Sequence, residues 1–191
     1  MGELDGRVFL VVGGAGGTGR AIVDALVADG AGVEIVDEDD VAAREAARRH
    51  GGPLGRVSAR PLEPDACADV VRRVVTTVVA DRGLLDGVVT VDRDESETVA
   101  VLRAARAPLR ASRRAAVVLV GDASDQASAL ARWLADDGVR VNSVGEGQDP
   151  ADTAHAVRFL LSDAADRVTG ARWPAADRTA AVPRHSGRVP G

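Results

Sequence analysis

The chain of 191 residues predicts a doubly wound α/β fold with one parallel sheet. Three observations predict it. Short Val-rich runs alternate with Ala-rich segments of helical period, the pattern of β-α-β units. The first run, residues 7–12, is apolar after Arg7 and ends in a cluster of glycines, as a strand buried on both faces should. The second run, residues 32–37, ends in an acid, Asp37.

The elements follow in order. Residues 18–29 place Ile22, Val23, Leu26 and Val27 on one helical face, and Gly30 ends that helix. Residues 39–50 read as a charged helix closed by Gly51, Gly52 and Pro53. A weak third strand is expected at 55–59 and a long helix at 65–81. Residues 86–91 form the fourth strand, followed by a short helix over 95–106. The fifth strand, 116–120, is the clearest of the later ones. A helix over 124–137, a strand over 139–144 and a helix over 150–162 complete the series, with Asp149-Pro150 at the start of the last helix. Domain organisation is then a single unit over 1–175 with a flexible tail over 176–191, where Pro, Gly and Arg occur without apolar periodicity.

Composition narrows the function classes. The net charge of -5 disfavours general nucleic-acid binding. No apolar run approaches the ~20 residues of a membrane span, and the N-terminus shows no signal pattern, so a cytoplasmic location is expected. Cys67 is the only cysteine, which excludes an internal disulfide and reads as a small buried hydrophobe. His50 ends a charged helix, where a cation suits the dipole; His155 reads as packing or interface; His185 lies in the tail. Their spacing supports no metal site. Trp133 and Trp173 read as core or interface residues.

The candidate binding residues are Gly13, Gly14, Ala15, Gly16, Gly17, Thr18 and Gly19, together with Asp37. Gly13, Gly17 and Gly19 stand in G-x-x-x-G-x-G spacing between a strand and a helix. Such glycines permit the tight turn and let backbone approach a diphosphate at the positive end of the helix. Asp37 stands where a carboxylate can accept hydrogen bonds from a ribose diol. Glu38, Asp39 and Asp40 beside it would repel a 2′-phosphate, so NAD(H) is favoured over NADP(H).

The loop Val11-Val12-Gly13-Gly14-Ala15-Gly16-Gly17-Thr18-Gly19 resembles that of the short-chain dehydrogenase/reductase family, nearest to its β-ketoacyl carrier-protein reductase type. Gly138-Val139-Arg140-Val141-Asn142-Ser143-Val144 and the segment 154–174 resemble the family's sixth strand and its C-terminal helix and last strand. The resemblance implies a Rossmann-like sheet in the order 3-2-1-4-5-6 with a short seventh strand near 171–173. It also implies a dinucleotide cofactor and an oxidoreductase.

The departures from the family are systematic. The sequence contains no tyrosine and no lysine, so the family's Tyr-x-x-x-Lys is absent. The family's catalytic Ser aligns near Gly121-Asp122, leaving Asp122 and Ser124 as weak catalytic candidates, with a helix cap the expected role of Ser124. Thr90-Val91-Asp92-Arg93 replaces the family's Asn-Asn-Ala-Gly, and Arg60 replaces its adenine-contacting Asp. The lid after the sixth strand shrinks to Gly145-Glu146-Gly147-Gln148, and the fourth and fifth helices look shortened. The expectation is weak NAD(H) binding without ordinary catalysis, in a subunit or scaffold of an active partner. An atypical oxidoreductase and a relic without activity are the alternatives. Assembly is expected as a homodimer, or a heterodimer with an active family member, through helix 150–162 and the strand near 171–173.

Overall fold

The computed structural model describes residues 2–51, 56–63, 68–121 and 124–174, with the side chains of 124 and 125 excepted. Seven strands form one sheet: β1 (Val8–Val12), β2 (Gly32–Asp37), β3 (Val57–Pro61), β4 (Gly87–Val91), β5 (Ala116–Val120), β6 (Arg140–Val144) and β7 (Arg172–Trp173). Their order is β3-β2-β1-β4-β5-β6-β7, and every pairing is parallel. Six helices connect them: α1 (Gly17–Ala28), α2 (Asp40–Arg49), α3 (Ala68–Arg82), α4 (Glu95–Ala111), α5 (Ser124–Trp133) and α6 (Pro150–Leu161). This is the Rossmann-like arrangement that the alternating pattern predicts.

Strand alternation divides the core in two. Phe9, Val11, Val33, Ile35, Val89 and Val118 face α1, α2 and α6. Leu10, Val12, Val36, Val88, Val117 and Leu119 face α3, α4 and α5. Both faces are buried, which is why β1 and β5 read as unbroken apolar runs rather than alternating ones.

Three boundaries differ from the sequence reading. β3 lies two residues later than expected, because Arg60 is drawn into the sheet by the fully buried Glu34, whose Oε1 it meets at 2.8 Å. Helix α4 runs on to Ala111, through Pro108, because Leu109 is buried beneath it; it is a 17-residue helix, not a short one. Helix α5 stops at Trp133 and a 3-10 turn, Ala135–Asp137, finishes the segment.

The C-terminal part is held by polar side chains. Asn142 donates from Nδ2 to the Val168 carbonyl at 2.9 Å and accepts from the Ala171 amide at 3.1 Å. The Val141 amide donates to Thr169 Oγ1 at 3.1 Å. Two arginines close the carboxyl end of α6, where cations suit the helix dipole. Arg7 donates to the Leu161 carbonyl at 2.7 Å, and Arg140 donates to the Leu160 carbonyl at 2.7 Å. Among the described residues no helix is long and apolar enough to cross a membrane.

Candidate functional site

The chain runs from β1 outward to β2 and β3, then returns to place β4 on the other side of β1. A crevice therefore opens beyond the carboxyl ends of β1 and β4, the switch point of a doubly wound sheet. The glycine loop lies there. Gly13 has φ +83, and its amide donates to the Val36 carbonyl at 2.9 Å. A Cβ on Gly13 would come within 2.7 Å of the Val91 carbonyl oxygen, so only glycine lets β1 end this close to β4. Gly14, Ala15 and Gly19 are buried, Thr18 is half-buried, and Gly16 and Gly17 are exposed. A Cβ on Gly16 or Gly17 would meet nothing within 4 Å, so the backbone here faces open space. No side chain caps the start of α1. Its first amides remain free for an anion.

Asp37 ends β2 beside the loop and is only 8% exposed. One carboxylate oxygen accepts from the Ala15 amide at 2.9 Å and the other from the Asp39 amide at 3.1 Å. Asp37 therefore ties the glycine loop to β2 in addition to any contact with a ligand, a role the sequence did not reveal. Each oxygen keeps a second lone pair for a hydroxyl donor.

The adjoining cleft encloses about 390 Å³ of empty space, its mouth included, and Asp37, Glu38, Leu62, Arg93 and Val101 contribute to its wall. Arg60 is not part of it. Its guanidinium pairs instead with Glu34 and Asp81, and Leu62 and Glu63 take the place next to the cleft. Arg93 is the residue that sequence reasoning left without a role. Its replacement of a family glycine was visible, but the direction of its side chain was not.

The rim beyond β4, β5 and β6 has a different character. Asp92 has φ +48, unusual for a residue with a side chain. A Cβ on Gly121 would lie 2.6 Å from Asp92 Oδ1, so the carboxyl group sits directly on the backbone after β5. Burial, then the neighbouring Glu146, push the Asp92 carboxyl above the usual Asp range, while Arg93 pulls it down. Asp122 lies outside the described residues. Ser124 begins α5, where a cap residue would stand one position earlier, and its side chain is not among those described. Among the described residues no group of three or more His, Cys, Asp or Glu could hold a metal.

The remaining candidates resolve as follows. His50 caps α2, and its Nε2 lies 2.8 Å from Asp24 Oδ1 on α1. His155 is exposed on α6, which removes a packing role within the chain. Trp133 lies under Arg106, whose guanidinium carbon is 5.1 Å from a ring centroid, and Trp173 packs on Phe159 with centroids 5.3 Å apart. Cys67, His185 and the tail over 176–191 lie outside the described residues. The apolar surplus expected on α6 is smaller than the sequence suggests. Ala154, Val157, Leu160 and Leu161 are all buried within the chain, leaving Phe159 and Trp173 half-buried at the surface.

No protein-family model matches the chain. Among curated proteins, it is 38% identical over 73 residues to a cis-1,2-dihydrobenzene-1,2-diol dehydrogenase of Pseudomonas putida, covering 38% of this chain and 26% of that protein. It is 33% identical over 90 residues to a cis-2,3-dihydrobiphenyl-2,3-diol dehydrogenase of Paraburkholderia xenovorans, covering 44% and 32%. These matches thus span only about a quarter to a third of the relatives' length. Among solved structures, a short-chain dehydrogenase/reductase of the glucose/ribitol dehydrogenase kind from Brucella melitensis superposes with a TM-score of 0.80 at 21% identity, covering 91% of this chain and 96% of that one. A short-chain type dehydrogenase/reductase from Mycobacterium ulcerans gives 0.78 at 23%, covering 90% and 88%. With the glycine loop at the switch point and this strand order, the chain has the fold of the solved short-chain dehydrogenases/reductases, and part of its sequence is similar to the dihydrodiol dehydrogenases.

Proposed function

We propose that this chain binds NAD(H) in the crevice between β1 and β4 and does not carry out the family's usual redox reaction by itself. The observation that carries the binding half is the open backbone of Gly16 and Gly17 beside the Asp37 carboxylate. Gly14 to Gly19 would hold the diphosphate through backbone amides, and Asp37 would accept from the adenosine ribose. A bound nicotinamide would supply hydride chemistry. The chain's own contribution would end at binding and orientation.

The catalytic half rests on chemistry. In the family a Tyr donates the proton, a Lys lowers its pKa and holds the nicotinamide ribose, and a Ser orients the carbonyl. The sequence has no Tyr and no Lys. Its cations are arginines, apart from histidine, and a guanidinium does not exchange protons usefully near neutral pH. The dihydrodiol substrates named for the curated relatives are therefore not carried over. In this reading the chain is a nucleotide-holding subunit or scaffold, meeting a second copy or an active family member through Phe159 and Trp173.

Calorimetric titration of the purified chain with NADH and NADPH tests the reading. NADH should bind weakly, with Kd on the order of 0.1–1 mM. NADPH should bind less well because of Asp37 and Glu38. No heat at millimolar NADH, or a clear preference for NADPH, would overturn the cofactor assignment. Robust NADH-dependent ketone reduction by the chain alone would overturn the loss of catalysis. A monomeric mass, with no family member co-purifying from the native cell, would overturn the subunit role.

A further inference from the structure

We propose that Arg93 is a phosphate-binding residue of this cleft, pairing with the diphosphate of the bound nucleotide. The inference rests on the dinucleotide reading above and adds a side chain to it. Four carboxylates line the cleft, those of Asp37, Glu38, Glu63 and Glu97. Among the described residues on that wall, Arg93 is the one cation. A diphosphate on the glycine loop beside so acidic a cleft meets repulsion that backbone amides alone must offset. A cation beside the glycine loop removes much of that penalty.

Three features of Arg93 fit this role. Its Nε–H is buried and has no hydrogen-bond acceptor, although the side chain as a whole is 18% exposed. A buried donor without a partner is costly and calls for an acceptor. Its guanidinium is loosely held, with Nη1 3.9 Å from Glu97 Oε2, too far for a hydrogen bond. Its Nε also lies 3.4 Å from the place a Cβ on Gly13 would occupy, so the side chain rests on the first glycine of the loop. A donor fork with a buried, unpaired Nε–H, loosely tethered and laid against an anion-binding loop, is suited to a phosphate, which guanidinium groups bind in two-point fashion.

The test is calorimetric titration of the full chain and of Arg93→Gln and Arg93→Lys with ADP and with adenosine, at low and high salt. The Gln variant should lose roughly 10- to 100-fold in ADP affinity, the range for a charge-assisted hydrogen bond. Adenosine, which has no phosphate, should bind all three forms within about twofold. The salt dependence of ADP binding should flatten in the Gln variant, and the Lys variant should recover part of the affinity, since charge survives without the fork. Thermal melts that match the parent exclude a merely structural effect. If the parent binds ADP and the Gln variant binds it equally well or more tightly, Arg93 is a passive or obstructing side chain and the proposal is wrong. If the parent binds neither ADP nor NADH, the dinucleotide reading itself fails, and the proposal fails with it.

Discussion

Gly19→Ala separates two opposed effects in a single substitution. Gly19 is the third residue of α1, and helix propensity alone favours alanine there by about 1 kcal/mol. Contact geometry says the opposite. A Cβ on Gly19 would overlap the Gly13 carbonyl oxygen and come within 2.9 Å of both the Gly13 carbonyl carbon and Gly14 Cα. All three atoms are backbone, so no rotamer change can relieve the clash. Overpacking costs about 1–3 kcal/mol, and a backbone-on-backbone collision belongs at the upper end. The net expectation is a loss of about 2 kcal/mol. With a urea dependence of about 2 kcal/mol per molar, the unfolding midpoint should fall by about 1 M. Gly16→Ala is the matched control. Gly16 is in an extended conformation with open space above it, so stability should stay within about 0.5 kcal/mol of the parent. Its new methyl would nevertheless intrude where a diphosphate approaches, so NADH affinity should fall. The two alanines should therefore act on different readouts, one on folding and the other on binding. A Gly19→Ala protein as stable as the parent, or more so, would refute the close-approach argument.

Three further predictions are independent of that one. Asp37→Ala should destabilise the fold by about 2 kcal/mol in denaturant titration, since the buried Ala15 amide loses a charged acceptor, and it should weaken NADH more than NADPH; unchanged stability would leave Asp37 a ligand contact only. Arg7→Met should cost about 2–3 kcal/mol by the same assay, because the Leu161 and Arg114 carbonyls both lose a guanidinium donor, and hydrogen exchange should show the last turn of α6 opening first. Asp92→Asn should stabilise the protein at neutral pH. The folded-state carboxyl sits above its usual range, so the parent has its full stability below the unfolded Asp value and loses some as pH rises through the folded value. The advantage of Asn from this source should vanish near pH 3, and an advantage independent of pH would trace to backbone preference at φ +48 alone.

Much of the glycine loop's placement was legible because its signals are local. A glycine cluster after an apolar run fixes a turn, and an acid ending the next run fixes Asp37 at the same edge of the sheet. Element order followed from period alone. What the sequence hid were contacts between segments. The third strand read as ending at 59, one residue short of Arg60, whose pairing with the fully buried Glu34 of β2 no local pattern reveals. The fourth helix read as ending at 106, but it continues through Pro108 with Leu109 buried beneath it. Asp92 and Arg93 read as a lost motif. Neither the positive φ of one nor the inward course of the other follows from residue type or spacing.

The two halves of the crevice are under different physical constraints. Around β1 and β2 the constraint is on the backbone. Gly13 and Gly19 permit approaches that any side chain would block, and Asp37 accepts from the Ala15 amide of the loop whether or not a nucleotide is present. Such residues are needed for the fold as well as for the ligand, and losing them costs stability. Around β4, β5 and β6 the strand ends are held by main-chain bonds, such as Asp92 N–H to the Val120 carbonyl at 3.1 Å and Gly121 N–H to the Val144 carbonyl at 3.0 Å. Side chains there are free to change without loosening the sheet. Reacting groups can disappear from such a rim at little cost in stability, whereas the glycine loop cannot. A preserved loop therefore speaks for folding before it speaks for binding, and measured affinity for NADH, ADP and adenosine has to decide between the two.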